Sequence, residues 1–147
     1  MRHVMFDPAE RRILLAVQSS VIVAYPADVS GAGRPAIPSS DPRRHVLAAL
    51  GQGSYSSSRS QLLLAQQVLI DVIAALTPQT HPAFFEALNP SDPRNPSFAG
   101  LVLLTDPARA VLMMVEIRQQ NLLEAQKAAA LIDAALALTT GQDHTDV

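Results

Sequence analysis

Residues 107–140 read PARAVLMMVEIRQQNLLEAQKAAALIDAALALTT. The stretch opens behind Asp106 with Pro107 and closes before Gly141, with no proline or glycine in between. Asp accepts hydrogen bonds from the free amides of a first helical turn, Pro needs no donor there, and Gly favours the position just past a helix end. Strong helix formers fill most of the interior. The segment therefore predicts one helix, roughly 50 Å long at about 1.5 Å per residue. On a helical wheel Val111, Met114, Val115, Leu122, Ala125, Ala129, Ile132 and Leu136 share one face. Glu116, Gln120, Glu124 and Lys127 form a polar face that Leu123, Leu131 and Leu138 interrupt. Roughly two sides of the rod call for cover.

The chain has 147 residues, the length of one domain. Alanine and leucine make up over a quarter of it, tryptophan is absent and aromatics are only 4%. That balance favours helices over a sandwich or barrel. Asp-Pro recurs at Asp7-Pro8, Asp41-Pro42, Asp92-Pro93 and Asp106-Pro107, each a helix-start signal. The expected architecture is a single all-α domain over 1–140, with several short Asp-Pro-started helices around one long C-terminal helix, and 141–147 as a loose tail.

A helix covers 8–25, or a hairpin turns at 18–20, because Val21, Ile22 and Val23 are β-branched. Residues 26–40, rich in Pro, Gly and Ser, form a flexible linker. A short helix over 42–50 ends on Gly51, and 51–58 is a second flexible connector whose serines offer caps for the next helix. That helix, 59–76, carries a wide apolar face of Leu62, Ala65, Val68, Leu69, Val72, Ile73 and Leu76. Thr80 caps a short helix over 81–88, and 97–104 adds one or two apolar turns.

Composition excludes several chemistries. With no cysteine there is no disulfide, thiolate metal site or iron–sulfur cluster. His3, His45, His81 and His144 are isolated in sequence, so no metal is expected. Gly51-Gln52-Gly53-Ser54 lacks the Lys-Ser/Thr of a phosphate loop, and Ser54–Ser60 contains no nucleophile elbow. No catalytic residue and no cofactor is expected. A net charge of −2 argues against nucleic acid as a partner. Arg11-Arg12 and Arg43-Arg44 keep a nucleic-acid-associated alternative alive, against the simpler reading that each arginine folds back onto its capping Asp.

No apolar run reaches the ~20 residues of a membrane span, because Gln66, Gln67 and Asp71 interrupt 62–76. The 13–25 stretch loosely resembles a signal peptide, but Asp7 and Glu10 precede it and Gln18-Ser19-Ser20 splits it. The expected location is cytoplasmic.

The functional expectation is a small non-enzymatic protein-interaction module. It would act through helix–helix contacts as a homo-oligomer, adaptor, chaperone, immunity protein or virion-assembly component. The contact residues read from the wheel are Met113, Met114, Ile117, Leu131 and Leu138, with Arg118 as the orienting residue. Arg118 is the one charge inside the apolar stripe. It must snorkel, pair with a carboxylate such as Asp71 or Glu86, or work with Asn121 to fix register across an interface. A further alternative is a small-molecule enzyme or ligand carrier with an inter-helix pocket holding His45 or His81 beside a carboxylate.

Overall fold

The computed structural model describes residues 4–25, 41–53, 57–91 and 96–139. The expected 26–40 linker, the 141–147 tail and the Asp92-Pro93 start lie outside them. Among the described residues there is no strand, only an isolated bridge between Val4 and Ser57, and the fold is all-α with a long C-terminal helix.

Helix α1 (Pro8–Ala16) starts as its sequence dictates. The Asp7 carboxylate accepts the Glu10 amide at 2.8 Å, and the Glu10 carboxylate accepts the Asp7 amide at 2.9 Å. The helix expected over 8–25 does not run through, and the hairpin alternative is not formed. The chain breaks at Val17 and resumes as α2 (Gln18–Ala24). The Ser20 amide bonds the Val17 carbonyl at 2.9 Å, and the Ser19 hydroxyl donates to the Ala16 carbonyl at 3.3 Å. Such local serine bonds compete with the helical ladder.

Asp41 caps a 3₁₀ turn, Pro42–Arg44, by accepting the Arg43 amide at 2.9 Å. Helix α3 (Val46–Gln52) follows and extends two residues past the expected stop. Gly53, not Gly51, takes the left-handed cap with φ 52°. Gly51 instead sits buried inside α3 against α1, so the expected connector over 51–58 begins later than its glycines suggested.

Ser58 and Gln61 form the capping box of α4 (Arg59–Leu76), which continues into a 3₁₀ turn, Thr77–Thr80. This 22-residue stretch is long and apolar enough to cross a bilayer by length and composition, which corrects the expectation that no run reaches that length; 33% of its most apolar window is buried. Its inner face, with Leu62, Val68, Leu69, Val72 and Leu76, is packed within the fold.

Helix α5 (Pro82–Glu86) starts behind His81 rather than Thr80: His81 takes the N-cap position with no side-chain bond to the helix, and the Thr80 hydroxyl turns back to the Thr77 carbonyl at 2.7 Å. Helix α6 (Pro96–Leu104) leads through Thr105 and Asp106 into α7 (Pro107–Thr139). Asp106 accepts the Arg109 amide at 2.8 Å.

Helix α7 serves two cores. Its C-terminal half presents Ala125, Ala128, Ile132 and Leu136 to Leu14, Val17 and Val21 of the N-terminal segment, Leu47 and Leu50 of α3, and the inner face of α4. The alanines allow α4 and α7 to approach closely. Its N-terminal half packs Ala110, Val111, Met114 and Val115 on Phe85 and Phe98. The phenylalanine rings lie 5.7 Å apart, and Phe84 meets Phe85 edge-on at 5.0 Å.

Candidate functional site

The buried arc of α7 matches the apolar stripe of the wheel, so the opposite arc is what the fold leaves to solvent. Leu112 (62% exposed) and Leu138 (58%) lie on it with Met113, Ile117 and Leu123. Of the contact residues read from sequence, Met113, Ile117 and Leu138 are exposed and Leu131 is half-buried. Met114 is corrected: at 2% exposure it fills the second core. Leu112 and Leu123 were not among those residues, although Leu123 was legible as a break in the polar face. Two further leucines, Leu103 (87%) and Leu104 (85%), project at the end of α6. That helix is apolar on every side but packs only Phe98, Leu101 and Val102.

Arg118 pairs with side-chain amides of its own chain rather than with a carboxylate, and Asn121 is one of them. Its Nε donates to Gln79 Oε1 at 2.8 Å and its Nη1 to Asn121 Oδ1 at 3.1 Å. Neither Asp71 nor Glu86 is its partner. Gln79 is buried and anchored in turn by its Nε2 on the Ala75 carbonyl at 2.9 Å. Desolvation lowers the guanidinium pKa below its ordinary value. The contact ties the turn after α4 to the middle of α7, inside one chain.

A polar cluster joins the end of α2, the Pro42–Arg44 turn and α4. The Tyr25 hydroxyl donates to Asp71, whose other oxygen accepts Gln67 Nε2 at 3.1 Å. Arg43 grips Asp41 with Nε and Nη2, the latter at 2.8 Å, and its guanidinium lies 5.7 Å from the Tyr25 ring centre. This hydrogen-bonded pairing holds the Asp41 carboxyl down at about 2. Arg44 Nη2 donates to the Tyr25 carbonyl at 2.7 Å, and Arg11 Nη1 to the Phe6 carbonyl at 2.9 Å. Three of the four paired arginines are thus engaged within the chain, and Arg12 is the exposed member.

Between α4 and α7 runs a groove of about 280 Å³, floored by Leu69, Ile70, Ile73 and Ala129. Gln66 Nε2 and Asp133 Oδ1 bridge its rim at 3.0 Å. His45 and His81 are exposed elsewhere and do not line it. Among the described residues no group of three or more His, Asp or Glu side chains is placed to share a metal ion. No protein-family model, curated protein or solved structure matches this chain.

Proposed function

We propose that the chain is a small non-enzymatic protein-interaction module whose working surface is the outer face of α7. The carrying observation is the row of large apolar side chains, Leu112, Met113, Ile117, Leu123 and Leu138, left in water along a helix whose other face is packed. Large apolar surface of this kind marks association sites, because covering it is worth about 25 cal/mol per Å². The projecting Leu103 and Leu104 add to the same account. The polar groups near the α4–α7 groove bond one another, so the groove offers fewer free anchors than the helix face.

The test compares wild-type protein with a Leu112→Glu, Leu123→Glu double variant and with Ile22→Glu, an exposed position on α2. Native mass is read for the purified chain over a wide concentration range and for complexes isolated intact from cells expressing it. The expected result is an assembly that the double variant loses and Ile22→Glu keeps. Identical masses for wild type and double variant in both preparations would overturn the reading.

A further inference from the structure

The outer face of α7 carries a second pattern beneath its leucines. Met113, Glu116, Gln120, Leu123, Lys127 and Ala130 follow one another in alternating steps of three and four residues, and all are exposed. The strip they form runs straight along the helix, so a second helix can lie along it, with Met113, Leu123 and Ala130 as its apolar members and Glu116 and Lys127 as its charges. The set is also its own mirror image. When two copies of α7 run antiparallel about a two-fold axis between Asn121 and Leu122, Glu116 faces the other copy's Lys127, Gln120 faces Leu123 and Met113 faces Ala130.

We infer that the partner of this face is a second copy of the chain, docked α7 to α7 in antiparallel register with Glu116 against Lys127. The inference rests on the reading of α7 as the working surface and adds the identity of its occupant. Charge selects the arrangement. A parallel pair would set Glu116 beside Glu116 and Lys127 beside Lys127. Sliding the antiparallel pair by one heptad puts Lys127 opposite Arg109, and sliding it the other way leaves Glu116 opposite Ala134. Only the central register matches both charges, and two-fold symmetry makes each match count twice. Lys127 is the one lysine of the chain, and among the described residues neither it nor Glu116 forms an ion pair or hydrogen bond within its own fold. The paired stretch from Met113 to Ala130 is about 26 Å long.

Charge reversal tests this without disturbing the fold, since both side chains are exposed. The purified wild-type chain should pass from one to two copies with rising concentration in sedimentation. Glu116→Lys and Lys127→Glu should each raise the midpoint of that transition at least about tenfold, by placing like charges together twice. The double variant Glu116→Lys, Lys127→Glu should return it to the wild-type position. A wild-type chain that stays single at every concentration overturns self-pairing. The interaction reading then still stands or falls on the Leu112, Leu123 double variant in complexes from cells. A dimer that the charge swap fails to restore overturns the register.

Discussion

Tyr25 closes α2 as a buried phenol donating to the Asp71 carboxylate. Burial first, and that bond second, raise its pKa well above the ordinary 10.0. Below pH 10 the phenol is protonated in the folded and unfolded chain alike, and its contribution is fully present. Above pH 10 the unfolded chain releases the proton while the native state keeps it, so stability falls as pH rises. Thermal unfolding followed from about pH 9 to 11.5 should show that decline. Tyr25→Phe should lower stability at neutral pH by about 1.5–3 kcal/mol, the worth of a bond to a charged group. It should also flatten the alkaline limb; an unchanged limb would remove Tyr25 as its source. With one lysine in the chain, few other groups titrate in that window. At this scale the sequence was informative where chemistry is local. Asp7, Asp41 and Asp106 cap as their Asp-Pro steps foretell, and Arg43 folds back onto Asp41. Arg118 was legible as a charge needing a partner, but Gln79 lies 39 positions away and is brought near only by tertiary packing.

At the scale of elements, the long helix and α4 were readable because their period is sustained. The breaks were not. Val17 interrupts 8–25 through serine hydroxyl and 3₁₀ bonding that propensity alone does not resolve. Gly51 has the look of a helix stop in sequence, yet it is a contact point between α1 and α3. A Cβ there would lie 2.7 Å from Leu15 Cγ, 2.9 Å from Leu15 Cδ2 and 3.1 Å from the Arg11 carbonyl oxygen. Gly51→Ala should therefore destabilise by about 1–3 kcal/mol from overpacking, partly offset by up to about 1 kcal/mol of better helix propensity. Because Leu15 is the nearest obstacle, the cost should shrink when Leu15→Ala is already present. A double-mutant cycle of chemical denaturation midpoints measures this coupling. An equal cost in both backgrounds would mean that Leu15 does not set the close approach. The same reasoning explains why the contact face was only partly legible. Met114 lies on the apolar stripe that the fold packs and so leaves the contact face, while Leu112 stands exposed on the other side.

Across the whole molecule, one rod is shared by two cores of unequal size. The larger joins α1–α4 to the C-terminal half of α7; the smaller holds α5 and α6 on its N-terminal half around Phe85 and Phe98. Local opening free energies follow buried apolar contact, so the smaller core should open first. Arg118, bonded to Gln79 and Asn121, stands between them on α7. Native-state hydrogen exchange should show lower protection in α5, α6 and the first turns of α7 than in α4 and the stretch from Ala125 to Leu136. Phe85→Ala removes the central ring, a change worth about 3–5 kcal/mol at a fully buried site. If the two cores are separable, that loss falls on the small one alone: amides around Phe98 and Val111 exchange much faster while those of α4 keep their wild-type rates. A uniform acceleration along the entire chain would show instead that α7 couples both cores into a single cooperative unit. The outer face of its N-terminal half, Leu112 to Ile117, would then be as rigid a docking surface as the C-terminal half.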